Sequence, residues 1–489
     1  MIKIEHLSFS YPHSQLILDD INTDICDHEI TVIIGKTGSG KTTLLKHLKK
    51  ELKPAGKQEG TIEFQGIDSE EVGYVFQNPH NQIVEDYVYH EIAFGLENLG
   101  IERKIMKNKV AEIVQYFHLE NVYDKRTSEL SGGEKQLGNL AAVMVMQPKL
   151  LLLDEPLAQL DPHAREQFIS ILKKLHHDFG LTIVMISHQL DDIYDDIDKL
   201  IVLEKGKVFK QGKPKDIAQE LKDNELLSFF PTYIQLLSKM HLPTDTSFYE
   251  TQAMINPLKV RQMIYENHQI CISIKHLYAS YDKDVLYDIS ANIPNQEILC
   301  ILGSNGSGKT TLLRCLFHDM KYQGQIKING KIGYLPQEPL LLINKDSVKE
   351  KINDDNLIHY FEFESLLDKH PYDLSGGQQQ LLGIMKLLLN NNDILLLDEP
   401  TKGLDPIMKD KLGIYLEKLV QQGKTIIIVS HDIEFCGTYA TMLSMLFHHQ
   451  LSEILRPYDF FSNHYFYTTQ LAKLTRNSHL TISLKDVVL

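Results

Sequence analysis

The strongest constraint on the fold of this chain is a glycine-rich loop that occurs twice, each time between an apolar strand and a helix-like run. Gly35-Lys36-Thr37-Gly38-Ser39-Gly40-Lys41-Thr42 returns as Gly303-Ser304-Asn305-Gly306-Ser307-Gly308-Lys309-Thr310, with 268 residues from Lys41 to Lys309. Both copies fit G-x-x-x-x-G-K-[ST]. Ile30 to Ile34 and Ile298 to Leu302 lead into the loops, and runs opening at Leu44 and Leu312 lead away from them. Glycines let backbone N–H groups close around a polyphosphate, and the helix N-terminus behind them favours its negative charge. The lysine reaches the terminal phosphates, and the threonine hydroxyl is a donor for Mg²⁺. Two copies at a domain-length interval are not coincidence.

The duplication continues beyond the loops. Each half opens with alternating strands that end in an aromatic, Leu7-Ser8-Phe9-Ser10-Tyr11 and Leu277-Tyr278-Ala279-Ser280-Tyr281. Each then shows Gly-Tyr-x-x-Gln, ending at Gln77 and Gln337, and Leu-Ser-Gly-Gly, at Leu130 to Gly133 and Leu374 to Gly377. Four apolar residues run into Asp154-Glu155-Pro156 and into Asp398-Glu399-Pro400, as suits the centre of a parallel sheet covered on both faces. Leu-Asp-Pro follows (Asp161, Asp405), and then a β-branched strand ending in Ser-His (His188, His431).

These elements in this order resemble the signature set of ATP-binding-cassette ATPases, over about nine-tenths of the chain. The resemblance implies an α/β fold of two P-loop (RecA-like) cassettes. Each would carry an antiparallel β subdomain and a helical subdomain, with a mainly helical connector joining the two. The expected division is 1–212 for the first cassette, 213–269 for the connector, 270–450 for the second cassette and 451–489 for a tail packed on it. In the family, ATP is held between the phosphate loop of one cassette and the signature of the other. One site would combine Gly35 to Thr42 and Thr43 with Ser375, Gly376 and Gly377. The other would combine Gly303 to Thr310 and Thr311 with Ser131, Gly132 and Gly133. Thr42, Thr310, Asp154 and Asp398 would serve Mg²⁺, with Gln77 and Gln337 sensing metal and water. Glu155 and Glu399 would polarise the attacking water, a role that needs a carboxylate within hydrogen-bond reach. His188 and His431 would contact the γ-phosphate, and the rings of Tyr11 and Tyr281 would face adenine.

Spacing shows where the halves differ. The loop lysine and the signature serine are 90 residues apart in the first half (41 to 131) and 66 in the second (309 to 375). From that serine to the Asp of Asp-Glu-Pro is 23 in both, and from the Asp to the His is 34 against 33. The shortening therefore precedes the second signature, in the helical subdomain where a membrane partner docks in the family. Unequal docking surfaces are expected.

The words around the motifs narrow the resemblance. Phe76-Gln77-Asn78-Pro79-His80-Asn81-Gln82, the later Ala93-Phe94-Gly95 and Glu155-Pro156-Leu157-Ala158-Gln159-Leu160-Asp161 are similar to the fused ATPase of energy-coupling-factor importers. The aromatic tail, Phe460-Phe461 and Phe466-Tyr467-Thr468-Thr469, shares the likeness. That family implies a transmembrane coupling component and a small substrate-binding membrane component as partners. It also implies a place at the cytoplasmic membrane face and a vitamin-like or metal-ion cargo, with a lean toward a thiamine-related precursor. One departure is Glu134-Lys135-Gln136-Leu137 after the first signature, which lacks the usual arginine. The competing readings are a soluble tandem cassette acting on ribosomes and the tandem ATPase of a sugar importer. The first typically has Asn-His before the Leu-Asp, where this chain has Ala158-Gln159 and Lys402-Gly403. The second commonly has altered motifs in its second half, and here none is altered.

Composition agrees. A net charge of −15 argues against nucleic acid as a partner, since phosphate-backbone binding needs a clustered basic excess. Five scattered cysteines with no C-x-x-C pair speak against a zinc or iron–sulfur site and for a reducing compartment. Met1-Ile2-Lys3-Ile4-Glu5-His6 does not read as a signal peptide. No apolar run approaches the roughly 20 residues that cross a bilayer.

Overall fold

The computed structural model describes residues 1–12, 14–158, 160–255, 259–260, 269–281, 284–343, 347–476 and 480–488. Gln159 and connector residues 256–258 and 261–268 fall outside these. The chain divides into two compact units, Met1–Ser238 with Pro243–Asp245, and Lys239–Leu242 with Thr246–Leu489.

Each unit contains a six-stranded sheet of one topology. In the first its order is Val72–Val75, Leu150–Asp154, Thr182–Ile186, Ile30–Ile34, Lys199–Glu204 and Lys207–Gly212. The first five strands are parallel and the last antiparallel. The second repeats it with Ile332–Leu335, Ile394–Asp398, Thr425–Ser430, Ile298–Leu302, Met442–Phe447 and Gln450–Leu451. Ile30–Ile34, Leu150–Asp154 and Thr182–Ile186 are buried at every position, as are their counterparts in the second unit. That explains their unbroken apolar run: neither face meets water, and one is covered by an antiparallel sheet together with the helix after the phosphate loop. A three-stranded antiparallel sheet accompanies each, with Ile2–Ser10 central in one and Ile270–Ser280 central in the other. The loop strand, the Asp-Glu strand and the Ser-His strand are neighbours, so their motifs emerge together at the carboxyl edge, where parallel α/β sheets bind ligands.

The length difference falls where the spacing placed it. Before the first signature stand α-helices Val88–Asn98 and Arg103–Tyr116; before the second, among the described residues, stand the shorter Val348–Lys351 and Asp355–Tyr360. In both units the signature serine then caps a 13-residue helix, Gly132–Met144 or Gly376–Leu388.

Beyond each sheet the chain continues in a similar way. Lys213-Pro214-Lys215-Asp216 opens helix Pro214–Glu220, and Arg456-Pro457-Tyr458-Asp459 opens Pro457–Asn463, each with proline in the first turn where its missing N–H costs nothing. A second helix follows in each case, Thr232–Lys239 and Gln470–Thr475. In the second unit Arg456 forks onto Glu297, Nη1 and Nη2 donating to its two carboxylate oxygens at 3.0 and 2.9 Å. The start of the connector and the tail are thus counterparts.

Candidate nucleotide sites

Each glycine-rich loop turns into its helix through a glycine in left-handed backbone, Gly40 (φ 97°) and Gly308 (φ 104°). A Cβ at either would also approach the preceding β subdomain to about 2.9 Å, against the Leu18 side chain or the Val285 carbonyl. Lys41 and Lys309 are buried and curl back over their loops. Lys41 Nζ donates to the carbonyls of Gly35 and Lys36 at 2.7 and 3.0 Å, and Lys309 Nζ to those of Gly303 and Ser304 at 2.8 and 2.9 Å. The hydroxyls of Ser39 and Ser307 are buried with no hydrogen-bond partner. Two buried orphan hydroxyls in equivalent places suit a loop that closes on phosphate oxygens.

Thr42 Oγ1 donates to Asp154 Oδ1 at 3.1 Å, and the Thr310 hydroxyl stands beside Asp398, where it favours the ionised carboxyl. A hydroxyl and a carboxylate converging beside a phosphate loop form an oxygen donor set that suits Mg²⁺, with water and phosphate completing its shell. Among the described residues no cluster of three or more His, Cys, Asp or Glu side chains offers a separate metal site. Burial, reinforced by the neighbouring glutamate's charge, pushes the carboxyls of Asp154 and Asp398 up to about 6.

Glu155 and Glu399 occupy left-handed backbone themselves (φ 47° and 49°), which costs a non-glycine residue on the order of 1–3 kcal/mol. His188 Nε2 lies 2.7 Å from Glu155 Oε1, and Gln77 Nε2 donates to Glu155 Oε2 at 2.6 Å. Glu399 is held differently. Ser430 Oγ donates to its Oε2 at 3.1 Å, and His431 Nδ1 lies 2.9 Å from the same oxygen as a charge contact lacking hydrogen-bond alignment. Lys309 Nζ stands 4.0 Å from its Oε1. Burial works against ionisation of both glutamates, but the histidine and lysine charges outweigh it and hold both carboxyls below their usual range. Gln337 is exposed, unlike Gln77.

The structure gathers each loop with the Asp-Glu pair and the Ser-His of its own half. Ser131 and Ser375 are exposed and bonded to their own helix starts, accepting from the N–H of Glu134 and Gln378. Among the described residues no hydrogen bond joins either serine to the phosphate loop of its own half. Gly133 and Gly377 are buried behind them. Tyr11 OH lies 3.2 Å from Thr43 Oγ1, whereas Tyr281 OH accepts from Arg314 at 3.1 Å, and both tyrosines are exposed. Asp161 and Asp405 cap the helices that follow them, accepting from Ala164 and Met408 N–H at 3.0 and 2.9 Å.

Two features escaped the sequence reading. Tyr74 OH donates to Asp154 Oδ2 at 3.0 Å and Tyr334 OH to Asp398 Oδ2 at 3.5 Å, so the tyrosine of Gly-Tyr-x-x-Gln orients the acidic residue. Its recurrence three positions before each glutamine was the available signal. Lys402 is the second: where the first half has Ala158, this lysine sits among Glu399, Glu338 and Asp398, and burial pulls its ammonium below the usual range against their attraction.

A family model described as ABC transporter matches residues 18–158 and 286–402, one phosphate loop and one Asp-Glu pair in each stretch. The chain belongs to the ABC transporter family. A relative from Bacillus thuringiensis subsp. konkukian, provisionally named ABC transporter ATP-binding protein, is 36% identical over 97% of this chain and 95% of its own length. A Bacillus subtilis relative, provisionally named HMP/thiamine import ATP-binding protein YkoD, is 28% identical over 91% of this chain and 90% of its own. Among solved structures, archaeal ABCE1 in its ribosome-bound complex with Pelota has a TM-score of 0.67 at 21% identity, covering 93% of this chain and 79% of that one, a likeness of fold alone. This ABC protein binds ATP and is an ATPase, the ATP-hydrolysing part of a transporter. No helix among the described residues is long and apolar enough to cross a membrane.

Proposed function

We propose that this chain is the ATPase subunit of an energy-coupling-factor importer, working at the cytoplasmic membrane face on two Mg·ATP. The single observation that carries the reading is the likeness over nine-tenths of both chains to a relative named for HMP/thiamine import. In this reading each ATP is completed by the other half's signature. Lys41 and its loop work with Ser375, Gly376 and Gly377, and Lys309 and its loop with Ser131, Gly132 and Gly133. Thr42, Asp154 and Gln77 hold one Mg²⁺; Thr310, Asp398 and Gln337 hold the other. Glu155 and Glu399 orient the attacking water, His188 and His431 meet the γ-phosphate, and Tyr11 and Tyr281 face adenine. Phosphoryl transfer needs positioning and charge neutralisation rather than covalent help, so assembling these donors is itself the catalysis. The partners are a transmembrane coupling protein and a small substrate-binding membrane protein, and the unequal helical regions present each unit differently to them. The cargo is vitamin-like or a metal ion, on the pattern of a thiamine-related precursor.

Affinity purification of the tagged full chain from detergent-solubilised membranes tests this. Recovery with two integral membrane proteins, and ATPase activity stimulated by them, is the expected result. Co-sedimentation with ribosomes and absence from membranes would overturn it.

A further inference from the structure

Three residues beyond each site histidine stands an acid, Asp191 after His188 and Glu434 after His431. Both turn away from the nucleotide loops and perform the same task. The Asp191 carboxyl accepts the backbone N–H of Thr232, the first residue of helix Thr232–Lys239. Glu434 Oε1 accepts the backbone N–H of Gln470, the first residue of helix Gln470–Thr475, at 2.6 Å. These helices are the counterparts that follow the two sheets.

In the first unit Leu190 N–H also donates to the Phe229 carbonyl at 3.3 Å, and the Phe229 ring centre lies 6.4 Å from that of His188. In the second unit the helix start is rigidly placed. Thr469 is fully buried, with Oγ1 donating to the Ile482 carbonyl at 2.7 Å and accepting from Ala472 N–H at 3.2 Å. Gly437, on the helix that follows His431, packs so tightly here that a Cβ would stand 2.5 Å from the Thr469 methyl. A surface acid has no reason to recur at one position and find one kind of partner in both halves.

We propose that Asp191 and Glu434 are positioning residues, which hold the loops of His188 and His431 against a fixed helix start and so aim each histidine at the γ-phosphate. The inference rests on the reading of those histidines given under Proposed function. Only three residues along the chain separate each histidine from its anchor, and misplacement of a reacting group by about 1 Å can cost about a hundredfold in rate. A first-turn N–H has no intrahelical acceptor, so it is available to the acid without loss to the helix.

That geometry supplies a direct perturbation, because proline is well suited to the first helical position and removes the N–H without breaking the helix. Thr469 already has the extended backbone (φ −69°, ψ 158°) that a following proline requires. In the full chain, Thr232→Pro with Gln470→Pro should lower kcat at least tenfold while leaving the dissociation constant of a fluorescent ATP analogue within twofold. Asp191→Asn with Glu434→Gln, which keep an oxygen acceptor, should retain kcat within about threefold of the parent. Added to His188→Ala with His431→Ala, the two prolines should lower kcat no further. Unchanged kcat in the proline variant, beside a histidine variant that is inactive, would sink the anchor while sparing the histidine reading. A further loss on top of the histidine variant, or nucleotide affinity falling in step with kcat, would mark the acids as merely structural and also overturn it. Full turnover in the histidine variant would remove the reading on which it rests.

Discussion

Asp432, next to His431, offers a test in which size and pH dependence both follow from geometry. Its Oδ1 accepts Phe435 N–H at 3.1 Å, capping helix Ile433–Tyr439, and its Oδ2 lies 2.6 Å from Lys409 Nζ. The two side chains are 11% and 17% exposed, so solvent screens the pair weakly. Burial alone would raise the Asp432 carboxyl, but the Lys409 charge and hydrogen bond and the Phe435 N–H outweigh it and bring it down to about 2 from 3.8. The folded value lies below the unfolded one. The stabilisation is therefore complete above about pH 4 and is lost as pH falls toward 2. A depression of that size corresponds to about 2 kcal/mol at pH 7, of which about half remains at pH 3. Asp432→Asn keeps the shape and an oxygen for the cap while deleting the charge. It should cost about 2–3 kcal/mol at pH 7 and progressively less below pH 4. Urea unfolding followed by far-UV circular dichroism, which suits a chain without tryptophan, reads both numbers. A cost below 0.5 kcal/mol at pH 7, or one that stays constant down to pH 3, would refute the reasoning.

Glu155→Gln and Glu399→Gln, made singly, should each lower steady-state ATP turnover at least tenfold and leave ATP retained on filters, because the amide cannot take up a proton; unaltered turnover in either would remove that glutamate from the chemistry. Arg456→Met should destabilise the second unit by about 3–5 kcal/mol in thermal or urea unfolding, since it strands the buried Glu297 carboxylate, whereas adding Glu297→Met should recover most of that loss. Tyr74→Phe removes a donor from the buried Asp154 carboxylate and should cost about 1.5–3 kcal/mol of stability. If calorimetry finds Tyr74→Phe neutral, the tyrosine does not orient the aspartate.

The cassettes were legible in the sequence because their motifs are ones in which residue type and function coincide. A buried parallel strand must be apolar throughout, and a loop that closes on phosphate must be glycine-rich. The spacing alone placed the shortening, and helices Val348–Lys351 and Asp355–Tyr360 show what was lost. Tyr74 and Tyr334 were passed over because a tyrosine in a strand reads as packing until its hydroxyl has a partner. The left-handed backbone at Glu155 and Glu399 could not be read, since glutamate carries no local preference for it and the surrounding turn imposes it. Lys402 was quoted only as a departure, because its proximity to three carboxylates is set by the fold. The kinship of connector and tail was missed because only a basic-Pro-x-Asp start survives in both, while the apolar residues behind it differ.

That kinship also changes what counts as the joint between the copies. The repeated arrangement reaches past the last strand of each sheet to helices Thr232–Lys239 and Gln470–Thr475, which puts a dividing point near residue 240. A gene divided there would yield two polypeptides, each with a complete sheet, phosphate loop and anchoring helix. On the proposal that each ATP is completed by the other half's signature, turnover that is a property of one molecule in the fused chain would become a matter of encounter, vanishing on dilution and returning as the two pieces are concentrated together.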